Sequence, residues 1–154
     1  MALLKVLVVP NQILNKPAEH VDEVNDDIRK IMDDMLETMY KGHGVGLGAN
    51  QVGILKKIIV MDLQDDEDQE RPKGFYPLFL ANPVIIEHSE KYVEAKEGCL
   101  SVPGVAIPVS RPDHVTVEYI DYHNKKQTIS TGGWLARALQ HEIDHLNGIT
   151  LIEH

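Results

Sequence analysis

The chain has 154 residues, of which 43% are hydrophobic and 25% are charged, as is typical of one soluble globular domain. Its formal net charge of -9 argues against nucleic-acid binding, because no cluster of lysine and arginine offsets that charge. Acidic side chains concentrate in 22–34 and in the run Asp65 to Asp68. A solvated helix face and a solvated loop are the simplest interpretation of these two segments.

The chain contains one cysteine, which excludes an intramolecular disulfide bond and favours a reducing compartment. The N-terminal residues lack the basic start and the small-residue cleavage site of a signal peptide. No apolar run approaches the ~20 residues that are needed to span a bilayer. We therefore expect a cytoplasmic protein with no membrane partner.

The first half of the chain predicts one helix and two short strands. Leu3 to Val9 and Ile58 to Leu63 are rich in leucine or in β-branched residues, which favours strands. Between them, apolar side chains recur with helical spacing from Val24 to Met39. Asp22 is the predicted N-cap of this helix, and Gly42 is its predicted stop.

The second half predicts further strands and a second helix. Strands are predicted at Phe79–Ile86, Tyr92–Lys96, Val115–Asp121, Gln127–Thr131 and Ile149–Ile152. Turns are predicted at 103–108 and 123–126. Gly132-Gly133 opens the second helix, which runs to about Leu146 and ends at Asn147-Gly148. Two helices among six or seven short strands indicate a single α+β domain, residues 1–154, with mostly antiparallel strands around the second helix.

The second helix carries the pattern His-Glu-x-x-His at His141, Glu142 and His145. Residues four apart lie on one face of a helix, so both imidazoles can reach one metal ion. Glu142 can then contact a metal-bound water without ligating, as a hydrolytic general base does. The alternative is a surface helix with two solvated histidines. The apolar side chains beside the pair predict a half-buried helix instead, and buried histidines need polar partners.

A catalytic metal usually has three protein ligands and one open position. After His145, only Glu153 and His154 could ligate, and they lie at the chain end, where fraying is common. The third ligand is therefore predicted upstream, where the lone Cys99 is the candidate. A lone cysteine is more often an inert buried residue. Here the glycine before it and the serine that follows predict a tight, exposed backbone.

A glycine-rich stretch at 43–51 invites three interpretations. A phosphate cradle is disfavoured, because the stretch does not open a long helix after a strand. A flexible connector is the second. Glycines that let a peptide backbone approach and pair as an added strand fit the sequence better.

Three segments resemble the signature motifs of the peptide deformylase family, in the right order and at plausible spacing. They are Gly44 to Gln51, Glu97 to Ser101 and Gln140 to His145. The resemblance implies a metallo-amidohydrolase that acts on linear amides, built around the metal-binding second helix. It implies removal of the formyl group from formyl-methionine at the N-terminus of newly made polypeptides, an N-terminal processing step of protein biosynthesis.

The resemblance also implies a role for individual residues. The implied metal ligands are Cys99, His141 and His145. Glu142 matches the general acid/base, which takes a proton from the attacking metal-bound water and passes it to the leaving amine. Gln51 and the backbone N–H of Leu100 match the groups that stabilise the oxyanion. The implied contacts to the substrate are Val45, Gly46, Gly98, Trp134 and Ala138.

One divalent metal ion is implied, with ferrous iron as the usual metal of the family and zinc or nickel as alternatives. The Irving–Williams order favours zinc or nickel over iron for a given site, so iron would reflect availability. The implied partners are formyl-methionyl nascent peptides. A monomer in transient proximity to the ribosome is expected.

The sequence departs from the family pattern in the methionine pocket. Trp134, Arg137 and Ala138 stand where aliphatic or small residues are common. The pocket would be lined by Val45, Trp134, Ala138 and His141. The bulky indole of Trp134 would alter the preference of the enzyme for the first residue of the peptide. The alternative is an indole in the core.

Two smaller departures from the family pattern and one predicted contact remain. Gly48 stands where alanine is usual, which should loosen the loop without abolishing function. The chain ends at His154 without a further C-terminal helix, and in this it is similar to phage-type members. An ion pair between Glu97 and Arg111 is predicted to orient the Cys99 loop.

Two rival functions stay open. A metal-dependent peptidase would share Glu142 and the metal, but it needs a longer cleft and tolerates acyl groups larger than formyl. A catalytically inactive metal-binding scaffold is the second rival, and the intact Glu142 and Gln51 disfavour it.

Overall fold

Two α-helices and seven strands form the regular structure of residues 3–63 and 74–151, which are the residues that the computed structural model describes. In chain order they are α1 (Asp26–Lys41), β1 (Gly46–Gly48), β2 (Ile58–Met61), β3 (Leu78–His88), β4 (Tyr92–Cys99), β5 (Val102–Pro112), β6 (His114–Ile120), β7 (Lys126–Gly132) and α2 (Gly133–Leu146). Short 3-10 helices cover Gln12–Asn15 and Ala49–Val52. The predicted α+β class is confirmed. The acidic run Asp65 to Asp68, Glu153 and His154 lie outside the described residues.

The strands form two antiparallel sheets within the described residues. Five of them pair in the order β1-β2-β3-β6-β7, and β4 and β5 form a separate hairpin. The β-branched strand β2 is buried on both faces because a helix covers each one. Ile58 and Val60 pack in the cluster of α1, whereas Ile59 and Met61 pack in the cluster of α2. The two helices therefore lie on opposite faces of the sheet. None of the helices found in the described ranges is long and apolar enough to cross a membrane.

The first helix begins later than predicted. Asn25, and not Asp22, is its N-cap, and its side chain accepts a hydrogen bond from the N–H of Ile28 at 3.0 Å. Both residue types cap well, so the position where the backbone enters the helix decides between them. Gly42 ends the helix, as predicted.

The N-terminal strand prediction is wrong. Residues 3–9 join no sheet, because their N–H groups bond to acceptors in different parts of the chain. Leu7 donates to the carbonyl of Gln51 at 2.6 Å, and Val9 donates to that of Ser101 at 2.9 Å. One neighbouring strand would have to supply both acceptors for a ladder to form.

Two other predictions are wrong, the turn at 103–108 and the strand that begins at Ile149. The predicted turn at 103–108 lies inside β5, where Pro108 pairs opposite Lys96. A two-stranded hairpin leaves one edge of each strand free, and proline is tolerated at such an edge. Residues 149–151 form no strand, because the N–H of Ile149 turns back and donates to the carbonyl of Asp144 at 2.9 Å.

Candidate metal centre

Three donor atoms converge where α2 meets the end of β4. His141 and His145 lie one turn apart on α2, with their Nε2 atoms 3.2 Å apart. The Sγ of Cys99 lies 3.3 Å from Nε2 of His145, and all three donor atoms lie within 4.8 Å of one another. Tetrahedral ligation by nitrogen and sulfur would separate such atoms by about 3.3–3.6 Å. The three side chains therefore fit a single metal ion.

Strand β4 presents Cys99 to the second helix. Glu97 and Cys99 are two residues apart, so they share one face of the strand, and Glu97 contacts His141 of α2. The ladder with β5 is interrupted directly before Cys99, because Gly98 pairs opposite Ala106 whereas Cys99 pairs opposite Val102. Cys99 is only partly buried, as the flanking glycine and serine predict.

Electrostatics at the cluster favour a cation. Burial disfavours the charged form of His141, but Glu142, Cys99 and Glu97 outweigh burial and raise the pKa of His141 to about 10. The neighbours of the imidazole therefore favour a positive charge at this position. A metal ion bound here would take the place of the proton.

Glu97 holds the first histidine in place. Its Oε1 lies 2.8 Å from Nδ1 of His141. Because Nε2 faces the other donor atoms, we assign the ring proton to Nδ1, which then donates to Glu97. The predicted ion pair with Arg111 is confirmed and is bidentate, at 2.6 and 2.9 Å. Burial opposes the negative charge of Glu97, but the hydrogen bonds from His141 and the arginines outweigh it and lower its pKa to about 2.

Arg137 is a second cation on this carboxylate. The sequence analysis named it as a departure from the family pattern in the methionine pocket, but did not predict its contact with Glu97. Only 8% of Arg137 is exposed, and its Nη1 donates to Glu97 at 2.6 Å. It also donates to the carbonyls of Val109, at 2.9 Å, and Val93. Arg137 therefore ties α2 to both strands of the hairpin. Its spacing of four residues from His141, which puts both on one helix face, was the signal available in the sequence.

Glu142 is buried beside the donor atoms. Within residues 3–63 and 74–151, its Oε1 has no hydrogen-bond partner. Burial is the main cause that raises the pKa of Glu142 to about 7. A Cβ at Gly46 would lie 2.7 Å from its Oε2, so only a glycine permits this approach. A carboxyl with a pKa near 7 can both accept and donate a proton at neutral pH.

Gln51 is fixed next to the cysteine ligand. Its Oε1 accepts a hydrogen bond from the N–H of Gly48 at 2.9 Å, which orients the amide. Its Nε2 then points toward Cys99, 3.4 Å from Sγ, and donates to Ser101 at 3.1 Å. Leu100 follows Cys99 directly, and its side chain covers Gly44, where a Cβ would lie 2.9 Å away.

Two cavities open beside the donor cluster. The first, of about 320 Å³, is named the indole cavity and is lined by Val45, Leu63, Lys96, Glu97, Gly98, Trp134, Arg137, Ala138, His141 and Glu142. The second, of about 630 Å³, is named the glycine cavity and is lined by 43–46, 98–100, 102–106, His141 and Glu142. Trp134 is 51% exposed, so the interpretation of the indole as a core residue is wrong. The predicted substrate contacts all line one cavity or both.

Among the described strands, β1 has one edge without a pairing partner. It is the outermost strand of its sheet, and the N–H of Asp62 donates to the carbonyl of Val45 at 2.8 Å. Backbone groups alternate in direction along an antiparallel strand. The N–H and carbonyl of Gly46 therefore point away from β2.

An α+β fold with a Cys-His-His donor cluster, an adjacent buried carboxyl and a cleft defines a metal-dependent hydrolase. The model of the polypeptide deformylase family matches residues 3–154. A peptide deformylase of Orientia tsutsugamushi (strain Ikeda) is 51% identical over 158 residues, which cover 100% of this chain and 87% of that protein. The peptide deformylase of Rickettsia canadensis (strain McKiel) is 49% identical over 154 residues, which cover 100% of this chain and 88% of that protein.

A solved structure agrees with these relatives. The crystal structure of peptide deformylase from Ehrlichia chaffeensis in complex with actinonin has a TM-score of 0.92 and 43% identity, over 99% of this chain and 88% of that one. The chain belongs to the polypeptide deformylase family.

Proposed function

We propose that this peptide deformylase hydrolyses the formyl group of formyl-methionyl peptides, with Glu142 as its general acid/base. The proposal rests mainly on the Glu142 carboxyl, which is buried beside the three donor atoms. Its Oε1 has no hydrogen-bond partner among the described residues. A buried polar atom without a partner is rare in a folded protein and calls for an explanation. A reacting water or substrate would supply the missing partner.

Cys99, His141 and His145 would hold one divalent metal ion. When bound, the ion supplies Lewis acidity, which polarises the formyl carbonyl and makes hydroxide available near neutral pH. Thiolate and imidazole ligands suit ferrous iron, zinc and nickel. We propose ferrous iron as the physiological ion, with zinc and nickel as alternatives, and elemental analysis of protein purified without oxygen tests this choice.

The protein groups move the proton and stabilise the charge. Glu142 accepts the proton of the attacking water and delivers it to the leaving nitrogen, a double role that its pKa of about 7 supports. The carbonyl oxygen becomes negative as the water adds. Nε2 of Gln51 and the N–H of Leu100 donate hydrogen bonds to that oxygen.

The peptide backbone would lie between two glycines. Gly46 offers its N–H and carbonyl from the free edge of β1, and Gly98 lines both cavities from β4. The first side chain enters the indole cavity against Val45 and Ala138. Because Trp134 forms an exposed wall there, the preference for methionine is less strict than an aliphatic wall would impose.

The cellular setting follows from the substrate. Residues 1–154 form one catalytic domain that acts as a cytoplasmic monomer, in transient proximity to the ribosome, where formylated chains emerge. The lone cysteine supports a reducing compartment, and the net charge of -9 speaks against nucleic-acid binding.

One experiment separates this function from its rivals. The protein is loaded without oxygen with Fe²⁺ or Ni²⁺ and is offered a formyl-Met peptide, an acetyl-Met peptide and an internal peptide bond. Selective loss of formyl is expected. Equal cleavage of the acetyl or internal amide would favour a peptidase. Bound metal without hydrolysis would favour an inactive scaffold.

A further inference from the structure

Lys96 is a cation at the indole cavity that has no partner among the residues that the structure describes. Of the lysine and arginine side chains that line this cavity, Arg137 is buried against Glu97, whereas Lys96 is exposed. Among the described residues, Lys96 makes no side-chain hydrogen bond and no ion pair. Glu94, the next residue on the same face of β4, does not pair with it either. In a chain with 24 acidic and 15 basic residues, a cation at the cleft that is unpaired within residues 3–63 and 74–151 calls for an explanation.

The register of β4 places this cation beside the path of the substrate. Lys96 and Gly98 pair opposite Pro108 and Ala106, and residues two apart share one face of a strand. A peptide extended between Gly46 and Gly98 has the same period. Its first and third side chains point to the same face, about 7 Å apart. When the first side chain fills the indole cavity, the third therefore lies over the cavity mouth, within reach of the flexible side chain of Lys96.

We propose that Lys96 is a specificity-determining residue that favours an acidic side chain at the third position of the formylated peptide and disfavours a basic one. This inference rests on the proposed deformylase function. Exposed ion pairs are weak, so the expected preference of glutamate over glutamine is about two- to fivefold in kcat/KM. The pair forms before the reaction and persists through it, so the preference appears in KM and leaves kcat unchanged.

The test uses three peptides, formyl-Met-Ala-Glu, formyl-Met-Ala-Gln and formyl-Met-Ala-Lys, each with an amidated C-terminus so that no terminal carboxylate contributes. The Ni²⁺-loaded full chain should cleave them in the order Glu, Gln, Lys. Lys96→Met should abolish the order, and Lys96→Glu should reverse it. Lys125→Glu, in the turn before β7, makes the same change of net charge at a residue that lines neither cavity and should keep the order.

Salt provides an independent readout. Between 0.01 and 1 M ionic strength the Debye length falls from about 30 to about 3 Å, so the preference should shrink toward unity. Equal kcat/KM for the three peptides at low salt, or an order that survives Lys96→Glu, would overturn the role of Lys96 while leaving deformylation established by the glutamine peptide. No cleavage of any peptide would overturn the proposed function, and the inference with it.

Discussion

The two helices pack against opposite faces of one sheet, yet they bury different kinds of residue. The buried face of α1 is dominated by apolar side chains such as Ile28, Met32 and Met35. The buried face of α2 includes Arg137, Gln140, His141, Glu142 and His145. Burial of apolar surface stabilises a fold directly, whereas buried polar groups destabilise it unless each finds a partner. Helix α1 therefore contributes mainly to the stability of the fold, whereas α2 supplies the polar residues of the candidate site.

The largest effect is expected from Glu142→Gln on α2. The amide keeps the size of the side chain but cannot transfer the proton, so kcat should fall by about 10²- to 10⁴-fold. Metal content and melting temperature should change little, because no ligand is altered and a buried ionisable group is removed. Stopped assays on a formyl-Met peptide, elemental analysis and thermal melts check this. Wild-type turnover in the metal-loaded variant would refute the role of Glu142.

The next effect concerns the polar anchor of α2. Arg137→Met removes one cation from Glu97 and one hydrogen-bond donor from two backbone carbonyls. The free energy of unfolding should therefore fall by about 3–5 kcal/mol. Metal affinity should also fall, because Glu97 orients His141. Urea unfolding and competition with a metal chelator measure the two effects.

A matched ion pair on α1 provides the control for that change. Lys30 pairs with Asp34 at 2.9 Å, but the lysine side chain is 71% exposed. Lys30→Met should therefore alter stability by less than about 1 kcal/mol and leave metal affinity unchanged. Equal losses at Lys30 and Arg137 would contradict the contrast between the two helices.

On the packing side, Met35→Ala should destabilise the fold by about 2–5 kcal/mol, since Met35 is fully buried and its removal leaves a cavity. Metal affinity measured below the unfolding transition should stay at the wild-type value, because α1 supplies none of the three donor atoms. Calorimetry and metal titration at low temperature separate the two quantities. Loss of metal binding in a still-folded variant would show that α1 also supports the site.

The smallest effect distinguishes two glycines of β1. At Gly48 the φ angle is -94°, and an added Cβ would lie 3.4 Å from Cβ of His145, an ordinary contact. Gly48→Ala should therefore stabilise the protein by about 0.4–1 kcal/mol, since it restricts the unfolded chain. Gly46→Ala, its control, should lower kcat because the new methyl group displaces Glu142. The opposite pattern in melting temperature and kcat would show that the loop needs glycine at position 48.

Local signals predicted the parts of the molecule that local physics decides. Helical spacing located α1, and β-branched runs located most strands, because these patterns reflect which face of each element is buried. Glycines at its two ends located α2. Where two local solutions were nearly equal, the prediction failed: Asn25 and Asp22 cap equally well, and Pro103 and Pro108 are compatible with a turn or with a strand that has a free edge. The strand prediction for residues 3–9 was wrong for a different reason. Strand pairing depends on a neighbouring strand, which the sequence of this segment does not specify.

The sequence by itself determined the chemistry that could occur. Two histidines and a glutamate on one helix turn, together with a single upstream cysteine and three family-like motifs, indicated a metal-dependent hydrolase and its family. Only the tertiary structure decided that Arg137 binds Glu97, that Gly46 must lack a side chain beside Glu142, and that Lys96 lines the indole cavity. These contacts join residues far apart in the chain, and their geometry depends on how β1, β4 and α2 pack together. A spacing rule describes one element at a time, so it predicts the donors of the site. Of the contacts that hold these donors, the sequence analysis predicted the Glu97–Arg111 ion pair but not the contact of Arg137 with Glu97.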